Sequence, residues 1–307
     1  MEIKIHRGGL QTTVQDLGRP GHRGAGVPLS GAMDPVALRV ANFLVGNAEN
    51  AAALEFVLVG PELEFSQDTV VALGGVEWEG LPSWQPVAVR AGERVKIGAA
   101  KRGCRGYLAV AGGIAVDPVM GSRSTYLRGG FGGFQGRALH DGDVLPLPAV
   151  TRQLGDHWRI DARVLPAYSA HPVVRVLRGA QTDEFGAALF GAEFKVSPQS
   201  DRMGLRLSGA ALVRSSKVDL ISSAVAPGTV QVPPDGQPIV LMADAQTIGG
   251  YPQAAHVISV DLPLMAQLRP GDTVKFAEVS LAEAQKLALA HEHGLALLRE
   301  GLAQKLR

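Results

Sequence analysis

Polar side chains able to do chemistry gather in four glycine-rich stretches, where glycine lets the backbone approach a ligand closely or take a positive φ. The first, residues 11–34 (QTTVQDLGRPGHRGAGVPLSGAMD), carries Thr12, Thr13, Gln15, Asp16, Arg19, Ser30 and Asp34. A loop of that length inside a compact domain favours function over plain connection. Asp34 taken alone reads equally well as the cap of a following helix. The second stretch, 121–137 (GSRSTYLRGGFGGFQGR), sets Ser122, Arg123, Ser124 and Thr125 ahead of five glycines. It has the look of an anion-binding loop, but no Gly-Lys-Ser/Thr leads into a helix, so a Walker-type phosphate site lacks support. In the third, residues 200–204, adjacent Asp201 and Arg202 make either a turn with a local ion pair or a two-pronged grip on a substrate carboxylate. The fourth, 231–251, holds Gln231, Asp235, Asp244, Gln246, Thr247 and Tyr251. Pro233, Pro234 and Gly236 make its first part a turn, which leaves residues 244–251 as the functional part.

Other chemistries find no support. The eight histidines stand at 6, 22, 140, 157, 171, 256, 291 and 293. Only the last two are close, and a spacing of two points them apart on a helix, so no metal set emerges. No Gly-x-Ser-x-Gly elbow exists, and Cys104 between Arg102 and Arg105 reads as a buried thiol. A formal charge of +1 removes the electrostatic reason to expect nucleic acid or an anionic membrane as partner. The opening MEIKIHRGGLQ alternates apolar and polar residues, unlike a signal peptide, and no segment is apolar for long enough to span a bilayer. With one cysteine the chain suits a reducing compartment, read as the cytoplasm.

The elements that must position these stretches are mostly strands. Thirty-eight glycines and 19 prolines separate short runs of Val, Ile and Leu, a rhythm of strands and turns. Candidate strands cover 53–59, 69–73, 86–90, 94–97, 106–111, 172–177, 238–243, 256–260 and 273–276, and GLRLSG after Gly204 is strand-like. One helix is capped by Asp34, opens on Pro35, repeats Val36, Val40 and Leu44, and stops at Gly46. A C-terminal helix runs from Ser280, spaced as a capping box with Glu283, to about Lys305. At 307 residues two domains are expected. A charged, proline-containing shift over 150–171 suggests a linker with a boundary near 160, giving domains 1–160 and 161–307. Faint self-similarity agrees: Gly-Tyr at 106 and 250, and Gly-Asp ahead of a strand at 142 and 271.

The same stretches carry a resemblance that extends from about residue 3 to 284. TTVQDLGRPG (12–21), GVPLSGAMD (26–34), ANFLVGN (41–47), YLAVAGGI (107–114), GSRSTY (121–126), SDRMGLRL (200–207), VPPDGQPI (232–239) and QTIGGYP (246–252) are similar, in order and spacing, to the motifs of the 5-oxoprolinase C-subunit family. That family is also called biotin-dependent carboxyltransferase-like, or allophanate hydrolase subunit 2, and is related to the carboxyltransferase domain of urea carboxylase. The resemblance implies a mainly β chain of two cyclophilin-like β-barrel domains with a few short helices and a C-terminal helix. It implies a non-autonomous subunit that works with the 5-oxoprolinase A and B subunits, the complex opening the lactam 5-oxo-L-proline to L-glutamate at the expense of ATP, whose site is not assigned. Under it Asp34, Arg202 and Asp244 are the expected catalytic residues. Thr13, Arg19, Ser30, Arg123, Ser124, Gln246 and Tyr251 are the expected substrate contacts, with Asp201 and Asp235 as further proton exchangers. Two rivals share the motifs: a regulator that sequesters a kinase inhibitor homologous to the B subunit, and a carboxyltransferase acting on urea or another amide. For the latter, the absence of a Met-Lys pair means no covalent biotin on this chain.

Overall fold

Apolar and polar residues alternate in Glu2–Arg7 (β1), and the strand they form buries Ile3 and Ile5 on one face. The computed structural model describes residues 1–148, 159–216 and 218–305. Of the linker expected over 150–171, residues 150–158 lie outside the described residues. The chain divides into two units, one of Met1–Arg19, Ser30–Ala167 and Gly294–Arg307, the other of Pro20–Leu29 and Tyr168–His293.

In the first unit β1 is followed by β2 (Thr12–Gln15), α1 (Pro35–Leu44), β3 (Ala53–Val57), β4 (Glu62–Phe65), β5 (Thr69–Gly75), β6 (Pro86–Val89), β7 (Arg94–Lys96), β8 (Arg105–Val110) and β9 (Val144–Pro146). These strands hydrogen-bond as two antiparallel sheets, ordered β7-β4-β1-β9 and β2-β3-β8-β5-β6. The helix α1 starts where expected: the Asp34 carboxylate accepts from the Ala37 N–H at 3.0 Å, and Pro35 takes the first position. Val36, Val40 and Leu44 face a core shared with Ala53, Ala72 and Tyr107 of the five-stranded sheet. Gly74 permits that close packing, since a Cβ there would stand 2.4 Å from the Ala37 carbonyl oxygen.

Strand β2 corrects the loop expected over 11–34. Its four residues are all buried and pair with β3, Thr13 opposite Glu55 and Gln15 opposite Ala53. Polar composition hid it, because the ladder and side-chain hydrogen bonds hold this strand rather than an apolar pattern.

The second unit contains β10 (Val173–Arg178), α2 (Ala188–Gly191), β11 (Glu193–Val196), β12 (Gly204–Ser208), β13 (Ser223–Ala224), β14 (Thr229–Gln231), β15 (Ile239–Leu241), β16 (Ile248–Gly249), β17 (Gln253–Val257), α3 (Leu262–Ala266) and β18 (Thr273–Glu278). Seven of these strands close a barrel in the order β10-β17-β14-β15-β12-β11-β18, sealed by the parallel pair β10 and β18, while β13 and β16 form a separate ribbon. Strand β17 ends at Val257, short of the expected 260, because the chain turns at 259–261. There Asp261 accepts from the Arg175 backbone N–H at 2.7 Å and from its Nε at 2.9 Å.

The long helix α4 (Leu281–Lys305) opens with the Ser280 hydroxyl accepting from the Glu283 N–H at 3.1 Å. Its last turns belong to the first unit, where Leu295 and Leu302 join the core around α1. The chain is thus mainly β, with one closed seven-stranded barrel, a few short helices and a long C-terminal helix.

One repeat holds in three dimensions. In each unit the Gly-Asp pair makes the same turn before a strand: Gly142 and Gly271 have φ of 91° and 99°, and Asp143 and Asp272 accept from the N–H three residues earlier at 2.7 and 2.8 Å. The Gly-Tyr pair does not repeat. Tyr107 is a fully buried strand residue, whereas Tyr251 is 47% exposed in a turn.

Candidate functional site

In the first unit the register places Thr13, Glu55 and Tyr107 side by side across β2, β3 and β8. The Tyr107 hydroxyl donates to Glu55 Oε2 at 2.7 Å, and the Met33 N–H donates to the same oxygen at 2.9 Å. The Asp34 N–H in turn donates to the Tyr107 oxygen at 2.8 Å, so this row anchors the start of α1. Burial, reinforced by the Glu55 and Asp34 carboxylates, pushes the Tyr107 phenol well above its ordinary pKa and keeps its proton in place. Gln15 donates to the Thr13 hydroxyl at 3.0 Å and to the Thr125 carbonyl at 3.2 Å.

Next along the chain, the buried Asp16 carboxylate collects four donors. Oδ1 accepts from the Gly18 N–H at 2.8 Å and from the hydroxyls of Ser122 at 2.6 Å and Ser124 at 2.5 Å; Oδ2 accepts from the Arg123 N–H at 2.6 Å. A carboxylate so occupied ties residues 16–18 to 122–124. Arg19, fully buried, donates to the Ser124 carbonyl and lies 5.0 Å over the Phe131 ring. Ser30 is buried in the left-handed region at φ 54°, and its hydroxyl meets no partner among the described residues. Thr13, Arg19, Ser30, Asp34, Arg123 and Ser124 therefore all belong to this unit, and hydrogen bonds join Arg19, Arg123 and Ser124 directly to the Asp16 network.

The second unit holds the other four. Arg202 and Asp244, 5% and 3% exposed, face each other through two hydrogen bonds, Nε to Oδ2 at 2.9 Å and Nη2 to Oδ1 at 3.1 Å. The Asp244 N–H also donates to the Arg202 carbonyl at 2.9 Å, so the pair latches the start of β12 to the end of β15. Asp201 does not pair with its neighbour Arg202; it accepts from the N–H groups of Met203 and Gly204, while Asp235 accepts from that of Gln237. Both are turn residues. Gln246 donates to the buried Gln231 at 3.3 Å, and Gln231 donates to the Tyr251 carbonyl at 3.4 Å.

A cavity of about 600 Å³ opens beside this last group, a volume suited to a small ligand. Residues 232–236 and 250–252 form one part of its wall, with Leu212, Arg214, Asp219 and Leu220 elsewhere around it. Arg214 is held by Glu184 and by the Val218 carbonyl at 2.7 Å. Of the expected site residues only Tyr251 and Asp235 line the cavity; Arg202, Asp244 and Gln246 do not. Sequence reasoning missed Arg214, Asp219 and Glu55. For Glu55 a signal existed, a lone carboxylate inside the apolar run ALEFV; Arg214 and Asp219 carried none. Among the described residues no group of three or more His, Cys, Asp or Glu side chains converges to hold a metal ion. No described helix is long and apolar enough to cross a membrane.

These motif segments coincide with a known family. The carboxyltransferase domain, subdomain A and B, family is matched over residues 25–278. This chain belongs to that family. It is 43% identical to the 5-oxoprolinase C subunit of Escherichia coli (strain K12), over 92% of this chain and 93% of that protein. With the 5-oxoprolinase C subunit of Haemophilus influenzae it shares 41% identity, over 96% of this chain and 97% of the other. Among solved structures, Kluyveromyces lactis urea carboxylase superimposes with a TM-score of 0.90 at 31% identity, covering 98% of this chain but only 29% of that one. The carboxyltransferase family therefore includes whole proteins of this length and one segment of a much larger chain.

Proposed function

We propose that this chain is the C subunit of an ATP-dependent 5-oxoprolinase, acting with the A and B subunits to open 5-oxo-L-proline to L-glutamate. The observation that carries this reading is the end-to-end correspondence with two 5-oxoprolinase C subunits at above 40% identity. An unstrained lactam is a poor electrophile, so ATP is spent on activating its carbonyl oxygen, and the protein must hold a small carboxylate, an amide and a developing negative charge. The second unit's cavity suits such a molecule, with the Nη2 of Arg214, left over from its contacts to Glu184 and Val218, for the carboxylate, Tyr251 for the amide, and Gln246 steadying the Tyr251 loop through Gln231. Thr13, Arg19, Ser30, Arg123 and Ser124 serve the first unit's part of the complex. Asp34, Arg202 and Asp244 act as positioning residues, because a helix cap and a closed ion pair already engage their charged groups. In this reading the two units are the two cyclophilin-like barrels, the chain is cytoplasmic, and it carries no covalent biotin.

The deciding experiment mixes this chain with the A and B subunits, omits each in turn, and measures glutamate released from 5-oxo-L-proline and ATP. Release only from the complete mixture is the expected result; a complete, associated mixture that releases none overturns the proposal. The superposition on urea carboxylase favours one second reading, carboxyl transfer to urea or another amide from carboxybiotin borne by a separate protein. Carboxylation of urea by the same mixture, supplied with a biotinylated carrier, would establish that reading instead.

A further inference from the structure

Four successive backbone N–H groups in the first unit, those of Gly132, Gly133, Phe134 and Gln135, donate to no described residue. Gly132 is buried, and a buried N–H without an acceptor is rare in a folded protein. The same residues line a cavity of about 390 Å³, together with Val116 and Asp117. Glycines have no side chains, so at 132 and 133 the backbone itself forms the wall. Positive φ values of 72° at Gly132, 55° at Gly133, 58° at Gln135 and 69° at Gly136 curl the chain, the kind of backbone that gathers consecutive N–H groups into an anion-binding concavity. The loop is also seated firmly. A Cβ on Gly132 would stand 2.2 Å from the Ser124 carbonyl oxygen, and one on Gly133 1.9 Å from the Thr125 hydroxyl.

Two arginines reach this loop through its neighbours. Arg123 is exposed and is not itself a lining residue, but it donates through Nε to the carbonyl of Val116, which is one, at 2.8 Å, and its two terminal nitrogens have no acceptor among the described residues. The buried Arg19 guanidinium packs behind the loop, with Nη2 2.9 Å from where a Gly132 Cβ would be. Asp117 is the one carboxylate among the described lining residues, and it is exposed.

We propose that this cavity binds a phosphoryl group, its oxygens taken by the amides of residues 132–135 and by the fork of Arg123. Four amides and two guanidinium nitrogens exceed what the two oxygens of a carboxylate can fill, whereas a phosphoryl group offers at least three. The site needs neither a Walker lysine nor a helix, and it does not rest on the oxoprolinase reading, since the chain alone suffices to test it.

The test is an amide NMR titration of the full chain with inorganic phosphate and, separately, with ATP. Saturable shifts of the four loop amides are expected. Arg123→Gln should weaken the binding about tenfold, as loss of a charged hydrogen-bonding partner does, with the rest of the spectrum unchanged. Asp117→Asn should tighten it. Shifts with both ligands assign the site to the terminal phosphate of a nucleotide, and shifts with inorganic phosphate alone assign it to the free ion. If neither ligand moves these amides, or if Arg123→Gln binds as tightly as the wild-type chain, the proposal is wrong.

Discussion

Asp16 and Asp244 are both buried carboxylates, and the two units treat them in opposite ways. Asp16 is held by four donors, two backbone N–H groups and two hydroxyls. Asp244 faces the full charge of Arg202 across two hydrogen bonds. The first arrangement distributes the stabilisation over separate segments, so its loss disorders backbone. The second concentrates it in one partner, so its loss strands a charge. Both lock loops in place.

The contrast breaks most visibly in the second unit. Arg202→Ala should lower stability by about 3–5 kcal/mol, because it leaves the buried Asp244 carboxylate without its cation, and Asp244→Ala should lower it in the same direction. The double variant Arg202→Met, Asp244→Leu should recover most of that loss in urea denaturation. Single variants as stable as the wild type would mean that the pair is not buried in solution. Asp16→Asn should cost less, about 2–3 kcal/mol, as hydrogen bonds to a charged group are lost. No compensating side-chain change should restore it, since two of the donors are backbone; faster hydrogen exchange at the Gly18 and Arg123 amides is the accompanying signature.

Asp34 sharpens the distinction between holding and reacting. Asp34→Ala should cost about 1 kcal/mol as a lost helix cap, whereas Asp34→Asn, an equally good cap, should keep both stability and glutamate release in the reconstituted complex. A fall in turnover of about 100-fold or more for Asp34→Asn would restore Asp34 as a proton exchanger. The smallest effect is on pH. Burial pushes His256 below its ordinary pKa of 6.5, so the unfolded chain binds its proton more readily than the folded one. The second unit should keep its full stability above about pH 6.5 and lose part of it as the pH falls from there through the lower folded value. In thermal melts, His256→Gln should flatten that slope and leave the rest of the acid response unchanged.

Strand positions with regular apolar runs, such as β3, β5 and β8, are legible in the sequence, as are both helix starts. Strands β2, β11 and β14 are not. They are three or four residues long, hold only one or two apolar residues each, and owe their place to neighbours across a ladder. Of the site, the polar motifs are visible but their use is not. Asp201 and Arg202 are adjacent in the chain and read as a pair, yet Asp201 closes its own turn while Arg202 reaches 42 residues onward to Asp244.

Local residue order dictates what depends on a few consecutive positions: the cap at Asp34, the box at Ser280, the repeated Gly-Asp turns and the succession of motifs that marks the family. These signals act within three or four residues, where backbone geometry leaves little choice. Packing in three dimensions settles which polar groups are satisfied and which remain available. Asp16 finds Ser124 at a separation of 108 residues, and that the amides of the 132–135 loop meet no acceptor among the described residues follows from packing alone. Saturation of a hydrogen-bonding group is a property of everything packed around it, and no local stretch of sequence contains that information.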